Sequence, residues 1–380
     1  MTLRGEICLV VALPPPTVGM AVLNQSVCDL LLTHGHKPLV VDVAAPNLAR
    51  HWLQRFRRLG RVLQQFRRYA GLLPRGAIGT VYLSLSGGVG QVYDLVFLFL
   101  ARAFGIPIFI HHHSYAYLSV RRPLTAVVIW TAGTAATHFV GCEDQGRRLR
   151  SLYRAVTRVA SLPNAALLAR DLVNASSEPR RSLSTIGFLG NISVDKGILE
   201  FLDVAARVQE FGLPLNLLIA GPFSTGKARR AVLAGIAQLP NVQYVGPKYG
   251  GDKAAFLRSI DVLLFPTRYS DETSPVTIYE ALSNHIPVIA WERGCIASML
   301  ADSKSLCIPR DHDYVAAAVQ QLRRWTQHPT SFHEASVDAR THCLRAVSRE
   351  QKELDQAMTL LVEATCPLHP PGDRKRGRSP

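Results

Sequence analysis

The feature that most constrains this chain is an alternation of short apolar runs with helical stretches, begun near residue 6 and begun again near residue 184. In the first series "EICLVVAL" (6–13), "KPLVVDVA", "GTVYLSLS" (79–86) and "IPIFIHH" (106–112) read as strands. "MAVLNQSVCDLLLTHG" (20–35), a stretch around 91–104 and another over 122–136 read as the helices between them. Near-continuous Val, Ile and Leu in strands separated by helices requires a parallel sheet covered on both faces. The second series repeats the pattern with "STIGFLGN" (184–191), "LPLNLLIAG" (213–221), "NVQYVG" (241–246), "DVLLFPT" (261–267) and "IPVIAW" (286–291).

The expected architecture is therefore α/β, two Rossmann-like doubly wound parallel-sheet domains facing across a cleft. A chain of 380 residues is long enough for two cores. The boundaries read as an N-terminal domain over 1–170, a polar linker over 171–183 and a C-terminal domain over 184–345. A helix over 346–364 is expected to pack back on the first domain, and the basic tail 365–380 has the composition of disorder. In such folds ligands sit at the carboxyl ends of the strands.

Composition excludes several classes. With 48% hydrophobic and 19% charged residues the chain is globular. Its seven cysteines are scattered without a CxxC pair, which predicts neither a zinc ribbon nor a disulfide framework and fits a reducing compartment. "MTLRGEICLVVALPPP" is too soon broken by prolines to be a signal peptide. The uncharged window between Arg122 and Glu143 is rich in Thr and Gly, so a buried helix plus strand is expected there, not a membrane span.

The net charge of +15 calls for a partner or a location. No acidic residue lies between Asp42 and Asp94, yet eight arginines fall between Arg50 and Arg75. Trp52, Phe56, Leu59, Val62, Leu63 and Phe66 recur at helical spacing, with Arg55, Arg58 and Arg61 largely on other faces. That is either a basic amphipathic helix suited to an anionic membrane surface or a core-packed helix with a solvated face, and the two readings stand level. Arginines alone, without an aromatic-rich recognition motif, do not make a nucleic-acid site, and none is expected.

Several loops carry candidate chemistry. "SGGVG" (86–90) does not complete GxGxxG and reads as a strand-to-helix turn. "GPFSTGK" (221–227) matches a phosphate loop until Ala228, which stands where a Mg²⁺-holding hydroxyl would be needed. In "GNISVDKG" (190–197), Gly190, Asn191 and Lys196 sit where backbone amides and an ammonium favour a phosphate. "DHD" (311–313) offers Asp313 as a helix N-cap in place of a metal ligand. His111, His112 and His113 end a buried-type strand, with His111 and His113 on one face and His112 on the other. In "DETSPVTIYE", Ser274 is placed to cap a helix with Pro275 at its first position, so the amides of Val276 and Thr277 face any anion. Glu272 precedes that start and Glu280 lies one turn inside it.

Taken together, these residues resemble the retaining glycosyltransferases of family 4, which have the GT-B fold. The likeness is strongest over 184–310: "FLGNISVDKG", "LLIAGP", "NVQYVG", "DVLLFPT", and above all Glu272-x7-Glu280 followed by "ALSNHIPVIA". Over 6–165 it is thinner, resting on a turn with Gly19, "THGHKPLVV", the strand-end histidines and "ASLPNA". The resemblance implies a UDP-, GDP- or ADP-linked sugar donor and a glycan or lipid-linked acceptor, with neither cofactor nor metal. Glu280 would hold the ribose hydroxyls, Glu272 would face the transferred sugar, and Thr273 to Thr277 would bind the donor, the helix start at Ser274 to Thr277 presenting backbone amides to the diphosphate and sugar. Lys196 would neutralise the leaving diphosphate; His113, with His111 in reserve, would touch the sugar from the opposite domain, and Gly19 would lie in the acceptor or phosphate loop. The implied location is cytoplasmic, peripheral on the inner face of the membrane. Asn191 stands where many relatives have a basic residue, for which Arg268, Lys227 or Lys248 could compensate. That departure leaves open a catalytically inactive nucleotide-sugar-binding or scaffolding protein. The glycine usual before "PVIA" is replaced around His285, which predicts a different turn there.

Overall fold

The computed structural model describes residues 5–15, 19–44, 52–175 and 177–365, the stretch 52–58 through its backbone alone. The first series forms strands β1 (Glu6–Val11), β2 (Leu39–Asp42), β3 (Ile78–Leu85), β4 (Ile108–His112), β5 (Thr137–Val140) and β6 (Arg158–Ser161). All pair in parallel, in the order β2-β1-β3-β4-β5-β6. The connecting helices are α1 (Gly19–Thr33), α2 (Trp52–Leu72), α3 (Gln91–Ala103), the short α4 (Ala116–Ser119), α5 (Pro123–Ala132) and α6 (Glu143–Leu152). After them come the short α7 (Asn164–Leu167) and α8 (Ala169–Val173).

The period of two along each strand divides the core. Cys8, Val10, Val81, Leu83 and Ile110 pack beneath α2, α3 and α5, whereas Ile7, Leu9, Val11, Tyr82 and Phe109 face α1. Right-handed crossovers dictate this division: the chain turns back from β1 to β2 through α1, then always advances.

The second sheet holds β7 (Thr185–Leu189), β8 (Asn216–Ala220), β9 (Val242–Tyr244), β10 (Val262–Phe265), β11 (Val288–Trp291) and β12 (Leu306–Ile308), in the parallel order β12-β11-β10-β7-β8-β9. Its helices are α9 (Ile198–Glu210), α10 (Gly226–Gln238), α11 (Gly250–Arg258), α12 (Val276–Ser283), α13 (Ile296–Leu300) and α14 (Tyr314–Gln327). The long α15 (Pro329–Glu363) contacts α12 and α14 of this half and β6, α7 and α8 of the other. One buried apolar cluster, with Val27 and Leu31 from α1, Ile278 from α12 and Leu354 and Leu361 from α15, is thereby shared by both halves.

Four sequence expectations change. The stretch read as an irregular linker begins helical in α8, with Leu172 buried, and its far end is fastened. There the Arg180 amide donates to Ser336 Oγ at 2.7 Å and its guanidinium lies 3.5 Å from Asp261. Second, the cysteines are not all unpaired: Cys142 after β5 is disulfide-bonded to Cys295 after β11, 153 residues apart. Spacing in sequence says nothing of two strand ends brought together by folding. Third, the turn at His285 keeps the left-handed conformation of a glycine (φ 60°), pinned where the Ser336 hydroxyl donates to its carbonyl at 2.7 Å. A non-glycine residue there costs about 1 kcal/mol. Fourth, the helix read over 122–136 covers only Pro123–Ala132. No described helix is long and apolar enough to cross a membrane. Tail residues 366–380, with Cys366, lie outside the described residues.

Candidate active site at the cleft between the sheets

The carboxyl ends of β4, β7 and β10 converge, and the loop after β10 is the floor of the cleft. Glu272 in that loop is only 8% exposed. Its Oε2 accepts from Lys196 Nζ at 2.5 Å and from Thr267 Oγ1 at 3.0 Å, so one carboxylate oxygen is held by a cation and a hydroxyl.

Lys196 reaches this point through a tight turn after β7. Its amide donates to Ser193 O at 3.2 Å, and the Arg268 amide donates to Asp195 O at 2.8 Å, laying the turn against the β10 loop. Gly197 follows with φ 85°, and a Cβ there would fall 2.0 Å from Pro266 O, so no other residue fits. The Lys196 ammonium also lies 4.7 Å from the Tyr269 ring centre.

The opposite wall comes from β4. Thr273 Oγ1 donates to the backbone carbonyl of His113 at 3.0 Å, and Ser114 Oγ donates to Asp271. His113 is the residue that follows the strand. Burial drives its imidazole pKa down to about 3, so the ring is neutral, and its Nε2 is buried without a partner. His111 is differently placed from its role as a reserve ligand: its Nδ1 lies 2.6 Å from the Tyr82 hydroxyl in the core, although its ring is 3.9 Å from that of His113. His112 turns to the other face and meets His138 at 2.9 Å.

The expected cap is corrected. Helix α12 starts at Val276 with Pro275 at the N-cap and no side-chain cap bond. Ser274 instead donates its hydroxyl toward Met299 Sδ at 3.4 Å, while its carbonyl accepts from Asn164 Nδ2 at 2.7 Å. The side-chain oxygen that would cap the helix is thus turned to α13 of the same half, while the carbonyl makes a separate tie between the halves. The first-turn amides of Val276 and Thr277 still lack intrahelical acceptors, as at any helix start. Gly19 opens α1 opposite this turn; a Cβ on it would lie 3.9 Å from Val276 Cγ2.

Glu280 lies one turn along α12. Its Oε1 accepts from Lys253 Nζ of α11 at 2.6 Å, and its Oε2 is buried without a partner. Burial raises its carboxyl pKa, and Lys253 pulls it back in part. Gly190 (φ 153°) and Asn191 lie beyond β7, where the Gly190 carbonyl would meet a Cβ on Gly221 at 1.8 Å. The loops that leave β7 and β8 are thus drawn together at the edge of the site.

Other candidates fall elsewhere. Thr225 of the decoy phosphate loop caps α10 by accepting from Ala228 N, and Asp313 caps α14 by accepting from Val315 N and Ala316 N. Arg268 pairs with Glu200 at 3.1 Å. Arg61 is exposed and donates to Ala44 O at 3.3 Å, while the side chains of Arg55 and Arg58 lie outside the described residues. A recess of about 280 Å³ beside the Glu272 loop is lined by Arg268, Arg293 and Arg310 with Trp291. A larger cavity of about 570 Å³ lies behind the cleft between β5, β6 and α15, away from Glu272. Sequence reading missed Lys253, Asn164 and Asp271, whose partners lie 27, 110 and 157 residues away, and Thr267, whose hydroxyl meets Glu272 from across the β10 loop. Only the fold brings them together.

Residues 184–324 match the family described as glycosyl transferases group 1. No curated protein sequence matches the chain. Among solved structures, sucrose-phosphate synthase from Thermosynechococcus elongatus is similar at 15% identity and TM-score 0.71, covering 95% of this chain and 99% of that one. A glycosyltransferase from Rickettsia africae is similar at 12% identity and TM-score 0.67, covering 95% and 98%. HepE from Anabaena, solved with UDP and glucose, is similar at 12% identity and TM-score 0.65, covering 93% and 100%. At these identities the likeness establishes the architecture, which is GT-B.

Proposed function

We propose that this chain, whose second half belongs to the group 1 (family 4) glycosyl transferases, moves a sugar from a nucleotide-sugar donor to a glycan or lipid-linked acceptor with retention of configuration. The observation that carries the reading is the Lys196–Glu272 pair at 2.5 Å on the cleft floor, facing His113 from the other sheet. A departing nucleoside diphosphate gathers negative charge as the glycosidic bond breaks. Fixed positive groups aimed at that charge lower the barrier more than they stabilise the ground state.

In this reading Lys196 leaves Glu272 for the diphosphate, and the α12 amides of Val276 and Thr277 hold its oxygens. Glu272 turns to the hydroxyls of the sugar. Neutral His113 offers a hydrogen bond to the sugar without adding charge that would oppose an oxocarbenium-like centre. The unpartnered Glu280 Oε2 accepts from ribose hydroxyls. Neutralisation by Lys196 and backbone amides makes a metal ion unnecessary for this chemistry. The UDP bound by HepE makes UDP the first nucleotide to test.

The test is a thermal-shift panel of UDP, GDP, ADP and their sugars, followed by donor hydrolysis. A shift with one nucleoside diphosphate and measurable hydrolysis of its sugar would support transfer. A shift without hydrolysis would favour the binding or scaffolding alternative that Asn191 raises.

A further inference from the structure

Helices α3 and α5 run side by side over the first sheet. Thr125 Oγ1 donates to Gln91 Oε1 at 2.8 Å where they begin, and Arg102 donates to the carbonyls of Trp130 and Thr131 where they end. Their inner stripes, including Phe97, Leu98, Val128 and Ile129, are buried. Their outer stripes are apolar as well: Val92, Val96 and Phe99 on α3, Val127 and Trp130 on α5, with Phe99 62% and Trp130 70% exposed. Single exposed apolar residues are ordinary, but aligned stripes on adjacent helices mark a contact surface. Helix α2 extends the same layer, with Leu59 and Leu63 exposed.

The charge around this face has one sign. Residues 43–142 contain eleven arginines and a single acidic residue, Asp94. Asp94 is buried and accepts from the Ser86 amide at 2.8 Å, so it offers little to the surface. Arg67 and Arg68 of α2 and Arg121 and Arg122 before α5 are exposed beside the apolar stripes. The stripe on α3 also starts at the cleft: exposed Val89 precedes it, and a Cβ on neighbouring Gly87 would lie 4.0 Å from Asp271.

We propose that the α3–α5 face is a docking surface for an anionic lipid bilayer. Its apolar stripes enter the boundary between headgroups and acyl chains, and the flanking arginines hold lipid phosphates. Charge decides between occupants, because a second copy would bring the same arginines against their like. The proposal deepens the transfer reading by assigning its acceptor to a class presented at a lipid surface, at the end of the stripe nearest Glu272.

The experiment sediments the full chain with phosphatidylcholine vesicles made with and without phosphatidylglycerol. The expected result is binding to the anionic vesicles, about tenfold weaker for Phe99→Ser/Trp130→Ser, and little binding to neutral ones. Brominated acyl chains should quench wild-type fluorescence more than that of Trp130→Phe, which tests insertion without a destabilised variant. Absence of binding to anionic vesicles, equal binding by the double variant, or equal quenching would overturn the proposal. So would a wild-type dimer that the double variant dissociates. Vesicle binding requires neither donor nor turnover, so its failure leaves transfer to a water-borne acceptor standing, whereas failure of donor binding leaves the docking face standing.

Discussion

The hydroxyl of Thr273 donates to the backbone carbonyl of His113 at 3.0 Å, joining the loop between two glutamates to the strand end of the opposite sheet. Asn164 on Ser274 and Ser114 on Asp271 repeat the tie on either side. The residues expected to act on the sugar are therefore positioned from both halves at once, and Glu272 cannot shift without disturbing a bond that crosses the cleft.

Glu272→Ala should lower kcat for transfer by about 100-fold or more, the scale seen when a group acting on the transition state is removed. Affinity for the nucleoside diphosphate should be retained, because Lys196 is released from its pair. Single-turnover transfer and calorimetry measure the two; full turnover in the variant would exclude Glu272 from the chemistry.

Lys253→Ala should raise the donor KM about tenfold with little change in kcat, since the lysine meets Glu280 and not the reacting centre. Combining it with Glu280→Gln should cost little beyond either single change, because the two groups act as a pair. Additive losses in steady-state kinetics would show that they work separately.

Glu350 on α15 faces the cavity behind the cleft, and burial raises its carboxyl pKa from 4.5 to about 7. The folded protein thus holds this proton more tightly than the unfolded chain does. The stability it contributes is full below about pH 4.5 and is lost as pH rises through about 7. Glu350→Gln should melt a few degrees above wild type at about pH 8, and the two curves should converge toward acid. Parallel melting curves across that range would mean the carboxyl is not perturbed.

Reducing the Cys142–Cys295 bond, or replacing both residues by serine, should lower the unfolding free energy by about 2–4 kcal/mol. The reduced chain should also give a larger radius of gyration in solution scattering without donor. Mass spectrometry of the unreduced chain checks the premise, and an unchanged denaturation midpoint after reduction would refute the stabilising role.

Much of the fold is legible because apolar runs and helical spacing are local. Strands β7, β8 and β10 fall within the runs read for them, and Asp313 caps α14 by the short-range rule that identifies it. The cap at Ser274 fails for the opposite reason: Met299, 25 residues away, takes its hydroxyl, and the helix begins at Val276 with Pro275 at the N-cap. Lys253 has no signature in "GGDKAAF" that assigns it to Glu280; only the packing of α11 beside α12 does so. Local chemistry is written in neighbours along the chain. The site depends on neighbours across it.

The bridge between Cys142 and Cys295 also changes how the molecule can move. Two bodies joined by a single chain crossing can swing about many axes. Here the passage through α7 and α8 is one attachment and the covalent bridge a second, while α15 rests on both halves. A body held at two points keeps one easy rotation, about the line through them. Opening for a donor would then follow a fixed arc, returning Lys196 and His113 to the same register at every closure.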